Sequence, residues 1–103
     1  MPGSPNPPRG PVDALGKLLF EGKDVTDYLF QVPDDESQRE RLRGILTEVI
    51  AEARAGNHHE LPRIAAEVKA VLDEAPSAPG AGMLQAGFDR LLRLWEAARS
   101  GLF

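Results

Sequence analysis

The stretch that decides the fold is RLRGILTEVIAEARAGNHHELPRIAAEVKAVL, residues 41–72. Apolar side chains recur at Leu42, Ile45, Leu46, Val49, Ile50 and Ala53, then at Leu61, Ile64, Ala65, Val68, Val71 and Leu72. Steps of three and four residues place each set on one face of a helix, so both halves read as amphipathic helices with a buried stripe. Gly56-Asn57 between them is a helix stop. Asn57 is the expected cap of the second helix, with Glu60 following, and Pro62 falls in a first turn, where a missing N–H costs little.

Outward from this pair the same period continues. Upstream, Asp34-Asp35-Glu36 supplies a helix start, with Asp35 and Gln38 spaced as a capping box. Downstream, the second helix is expected to end near Glu74, and APSAPGAG (75–82) reads as a loop by composition. A last helix is expected from Met83 to Ser100, with Leu84, Phe88, Leu91, Leu92 and Trp95 on its apolar face and Gly101 as its stop. Gly87 inside it suggests close approach of a neighbouring helix.

Residues 12–32 are rich in large apolar side chains: Leu15, Leu18, Leu19, Phe20, Tyr28, Leu29 and Phe30. Gly16 and Gly22 each weaken a helix by about 1 kcal/mol relative to alanine. The reading is therefore two short helices, near 12–21 and 24–31. Residues 1–11 hold five prolines and two glycines and are expected to form a disordered or polyproline-like tail. The expected architecture is all-α: a small antiparallel, up-and-down bundle over residues 12–103, with three main helices and an N-terminal short helical element.

Composition limits the function. The chain has 103 residues, one domain's worth, and a formal net charge of −4. Nucleic-acid binders carry a basic stripe that displaces counterions from phosphates. Here residues 34–57 hold six acids against four bases, and only the last helix leans basic, through Arg90, Arg93 and Arg99. Nucleic acid is thus not the expected partner, although those arginines keep a helical transcription regulator as an alternative. No apolar run reaches the roughly 20 residues a membrane-spanning helix needs, and MPGSPNPPRGP lacks a signal's apolar segment. The expectation is a cytoplasmic protein. Nine arginines against three lysines suit a GC-rich bacterial genome.

Chemistry is sparse. Cysteine is absent, which removes disulfides, thiol catalysis and cysteine-based metal sites. His58 and His59 are adjacent, so they point apart, whereas two ligands on one helix face are spaced by three or four. Glu48 and Glu52 share a face, solvated or turned to a basic partner. No serine sits in a nucleophile motif, and Gly16-Lys17 and Gly22-Lys23 lack the rest of a phosphate loop. The chain is read as non-enzymatic, with no catalytic residues, cofactor or metal. Its expected role is docking another protein, or itself, as an adaptor in signalling or regulation. Candidate partner-binding residues are Leu18, Leu19, Phe20, Tyr28, Leu29, Phe30, Leu94 and Phe103, of which Leu94 and Phe103, with Leu102, would form an exposed patch.

The cadence of AEARAGNHHELPRIAAEVKAV (51–71) and RLWEAARSG (93–101) resembles that of histidine phosphotransfer (HPt) domains, four-helix bundles of bacterial signalling. Lys69 and Val68 stand where that family's lysine and leucine stand. The sequence departs from the pattern at Ala66, in place of the phosphorylated histidine, and at Ala70, in place of a glycine; His58 and His59 lie about two turns too early. The resemblance implies an HPt-like fold that docks a receiver domain or kinase without carrying phosphate. A phosphorelay component using His58 or His59 is the alternative.

Overall fold

The computed structural model describes residues 11–101, with side chains from residue 14 onward. Among them are four helices and no strand: α1 (Pro11–Gln31), α2 (Glu36–Ala55), α3 (Glu60–Val71) and α4 (Ala78–Arg99). Helix α1 packs on α2 and α4, and α3 packs on the same two. The diagonal pairs α1/α3 and α2/α4 are not neighbours, so the four helices close into a ring around one core.

The three stripes form that core. Leu42, Leu46, Val49 and Ala53 of α2, Leu61, Ile64 and Ala65 of α3, and Leu84, Phe88 and Leu91 of α4 are all at most 2% exposed. Each such large aliphatic or aromatic side chain contributes about 1.5–3 kcal/mol by leaving water. Ile50, Val71 and Leu92 flank the core half-buried.

Helix α1 differs from expectation. It is one continuous helix of 21 residues, comparable in length to α2 and α4, rather than a short element or two pieces. The two glycines that argue locally for a break are buried at the contact with α4. A Cβ on Gly16 would overlap the Trp95 ring, and one on Gly22 would overlap the Phe88 ring. The missing side chains let α4 approach, and the packing gained offsets the propensity lost. Gly87 of α4 does the same toward Val68 of α3. Thr26, fully buried on α1, satisfies its hydroxyl by donating to the Lys23 carbonyl at 2.8 Å.

The helix ends also depart in part. Asp35 caps α2 as its spacing with Gln38 predicts, accepting from the Gln38 N–H at 3.1 Å. Asn57 does not cap α3. It takes a left-handed φ of 63° and turns the chain out of α2, and His59 occupies the cap position with no side-chain hydrogen bond. Helix α3 stops at Val71, and Leu72, Asp73 and Glu74 continue as tight turns that bond three residues back. Helix α4 starts five residues earlier than expected, at Ala78, because Ser77 caps it by accepting from the Gly80 N–H at 2.9 Å. Pro79 sits in the first turn, where no intrahelical donor is lost. Most of the expected tail, residues 1–10, lies outside the described residues; Pro11 belongs to α1.

Candidate docking surface

Burial divides the residues expected to anchor a partner. Leu19 and Leu29 are fully buried in the core, so they are corrected from surface anchors to core residues. They share the inner face of α1 with Leu15 and Val25. Leu18 is half-buried against the core. Phe20, Tyr28 and Phe30 are exposed, at 56%, 43% and 49%. Phe103 lies outside the described residues.

The three exposed aromatics do not form one stripe. At about 100° per residue, Phe20 and Phe30 stand about 80° apart around α1 and about 15 Å apart along it, and Tyr28 stands about 160° from Phe30. Two separate features result. The first lies where α1 ends: Tyr28, Phe30 and Val32 are all exposed within five residues. The Tyr28 hydroxyl donates to Asp35 Oδ2 at 2.7 Å, which fixes that ring against the α1–α2 turn. The hydroxyl, then the Gln38 N–H, hold the Asp35 carboxyl below its ordinary range. Val32 and Met83 are exposed apolar residues that the helical pattern did not single out. Val32 immediately precedes Pro33, just past the last turn of α1, and Met83 was assigned to a helix end that the structure places inside α4.

The second feature is an open cleft beside Phe20, lined by Leu92, Trp95 and Ala97 and rimmed by Arg93, Glu96 and Ser100. Phe20 meets Trp95 edge to face, with ring centroids 5.7 Å apart. The Arg99 guanidinium sits 5.0 Å from the centre of the Trp95 ring and pairs with Glu96, which it holds below the ordinary carboxylate range. Leu94 is not in this cleft. It is half-buried and lines a neighbouring concavity with Ala98, Leu61, His58 and His59.

The polar candidates are engaged structurally. His58 is half-buried and His59 exposed, and no group of three or more His, Cys, Asp or Glu among the described residues is placed to hold a metal. Ala66 is exposed on α3 in a shallow concavity shared with Arg54, His59, Arg63 and Glu67. Arg63 pairs with both Glu60 and Glu67, and Arg90 approaches Glu60 at 3.8 Å. The basic set of α4 is therefore partly neutralised, since Arg99 is paired as well. Glu48 is exposed and Glu52 half-buried. Lys23 bridges α1 and α4, with Asp27 at 3.2 Å and Asp89 at 3.0 Å. Asp27 also accepts from the Gln85 side chain at 2.8 Å, which, ahead of Lys23, keeps its carboxyl below the ordinary range.

No helix among the described residues is long and apolar enough to cross a membrane. No protein-family model, curated protein or solved structure matches this chain.

Proposed function

We propose that this protein is a non-enzymatic docking module, an adaptor in bacterial cytoplasmic signalling or regulation, and that it binds another protein through the far end of α1. One observation carries the reading: Tyr28, Phe30 and Val32 are all exposed around the end of α1, whose inner face, with Leu15, Leu19, Val25 and Leu29, is buried. Val32 follows Tyr28 by one helical turn and shares its side, while Phe30 stands on the other, so the helix end offers exposed apolar groups on both sides for a partner that grips it. Tyr28, held by Asp35, and the turn at Pro33 make this a preorganised edge, which lowers the ordering cost of binding. The four helices are inferred to run alternately up and down. The pairing of Gly16 with Trp95 and Gly22 with Phe88, and of Arg39 at the start of α2 with Leu72 at the end of α3, supports that order.

The test is a pair of charge insertions, Phe30→Glu with Val32→Glu, compared with the unaltered chain by affinity capture and light scattering. The unaltered chain should capture a defined partner or self-associate, and the double variant should lose that binding with its helical circular dichroism intact. Equal capture by both, or a strictly monomeric chain without a partner, overturns the reading.

A second reading is a phosphate-free relative of phosphotransfer domains. It is favoured by the solvent-facing position of Ala66 on α3, where a phosphoacceptor would have to stand. Binding to a receiver domain that is weakened by Ala66→Arg would support it. Phosphotransfer abolished by replacing His58 and His59 would instead mark an active relay component.

A further inference from the structure

The exposed end of α1 carries an unbalanced negative charge. Residues 24–38 hold five acids and neither lysine nor arginine. Asp24, Asp34 and Glu36 are exposed and form no ion pair among the described residues. Asp24 precedes Tyr28 by one turn on the same side of α1, and both line a concavity with Val25, Gln38 and Arg41. The Tyr28 hydroxyl is held above its ordinary range, first by its bond to Asp35, then by desolvation and by the charges of Asp35 and Asp34. The field of both carboxylates therefore reaches that ring. The cations nearby are engaged elsewhere. Lys23 lies between Asp27 and Asp89, and Arg41 pairs with Glu21 at 3.3 Å. Arg39 is buried, with its guanidinium on the carbonyls of Pro33, Leu72 and Glu74.

We propose that this edge takes a cationic, apolar segment of another protein, which rests on the docking function just proposed and gives the partner its chemistry. Aliphatic side chains of that segment pack against Tyr28, Phe30 and Val32, and its arginines or lysines stand beside Asp24, Asp34 and Glu36. The apolar groups supply the burial, and the acids supply the discrimination. Opposite charges across an interface steer the right partner, whereas like charges oppose a wrong one. The three acids are exposed at the rim, so a pair formed there buries no ion and avoids the desolvation cost of an interior one. The exposed rings of Tyr28 and Phe30 add to the preference, because a guanidinium is attracted to an aromatic face. The same acids repel the phosphates of nucleic acids and the surfaces of anionic lipids. A second copy of this chain is a poorer occupant, since its own net charge is −4.

Three synthetic amphipathic peptides test the match. They share one pattern of leucines and carry arginine, glutamine or glutamate at their polar positions. Each is titrated against the full-length chain and followed by amide nuclear magnetic resonance shifts and by fluorescence anisotropy. The arginine peptide should shift the amides of Tyr28, Phe30 and Val32. It should bind about tenfold more tightly than the glutamine peptide at low salt, and high salt should erase that advantage. Two full-length variants separate charge from burial. Asp24→Asn with Asp34→Asn and Glu36→Gln leaves the Asp35 cap in place; it should remove the preference for arginine and leave binding of the glutamine peptide unchanged. Phe30→Ser with Val32→Ser should weaken both peptides. Equal binding of all three peptides at Tyr28, Phe30 and Val32 overturns the proposal and leaves the docking surface standing. A preference for arginine that survives the neutral variant overturns it as well. Shifts elsewhere, or no binding of the arginine peptide, also overturn it, and affinity capture then decides the docking function by itself. Binding of duplex DNA or of phosphatidylglycerol vesicles at this edge, or shifts there that vanish on dilution of the chain alone, assigns the edge to a different occupant and overturns the proposal.

Discussion

The two ends of the bundle are built differently. At the end where α1 meets α2 and α3 runs out, polar groups tie the turns together. Arg39, only 5% exposed, donates to the carbonyls of Pro33, Leu72 and Glu74 at 3.0–3.2 Å. A cation there satisfies carbonyls of the turn just past α3 and lies at the negative end of that helix's dipole. Arg43 adds a bond to the Leu72 carbonyl and an ion pair with Asp73. Asp35 caps α2 and Ser77 caps α4. At the opposite end, around the α2–α3 turn and the last turns of α4, helix α3 starts with no side-chain cap. The buried contacts of that end are apolar and aromatic, Gly16 under Trp95, Phe20 on its edge, and Leu61 and Leu94 beside the histidines, with exposed ion pairs of Glu60 and Glu96 outside them. At the first end backbone carbonyls are satisfied by side chains, whereas at the second stability rests on how closely side chains pack.

The largest expected effect is at the tied end. Arg39→Met keeps much of the side chain's volume but strands buried carbonyls, and should cost about 3 kcal/mol in denaturant unfolding. A loss below about 0.5 kcal/mol would mean that water replaces the guanidinium there, and the contrast between the ends would fail. Next is the close approach of α1 and α4, which serves the apolar end. Gly22→Ala gains helix propensity but drives a methyl into the Phe88 ring, with an expected net cost of about 1–3 kcal/mol by thermal unfolding. A stabilised variant would show that the helices can separate freely.

The caps give a smaller and more discriminating comparison. Ser77→Ala should cost about 1 kcal/mol, because a capped donor is left to water. His59→Ser should change stability by less than about 0.5 kcal/mol, since the backbone there, at φ −106° and ψ −49°, is already helical and aims no side chain at the next N–H groups. A clear gain from serine would show that the α3 start relaxes to accept a cap. Acid sensitivity is the smallest effect. Asp35 titrates below its ordinary range in the folded protein, owing first to the Tyr28 hydroxyl and then to the Gln38 N–H. The folded state therefore binds fewer protons, so its stabilisation is complete above the ordinary carboxylate range and is lost as pH falls through the lowered value. Asp35→Asn should flatten the acid limb of the stability curve; an unchanged limb would place the acid sensitivity elsewhere.

Much of the fold was legible in the residues. Leu42 to Ala53, Leu61 to Leu72 and Leu84 to Trp95 announce their buried faces by spacing, because helical geometry alone brings positions three and four apart together. Asp35 announces its cap for the same local reason. The docking candidates were legible only in part. A run such as Leu18-Leu19-Phe20 must send neighbours to different faces, and period alone does not say which face meets the core when two glycines interrupt the pattern. Leu19 and Leu29 turned inward, while Phe20 and Phe30 did not.

By itself, then, the sequence determined the helical class, the three stripes and the start of α2, all of which depend on interactions within a few residues. Tertiary structure alone decided that α1 is one helix, since Gly16 and Gly22 acquire their purpose from rings some 66 to 79 positions away in the chain. It also decided that Arg39 is a buried tie and not one more surface charge, and which aromatics face water. The reason is physical: a propensity is a property of a residue and its neighbours, whereas a void to fill or a carbonyl to satisfy exists only after distant helices meet.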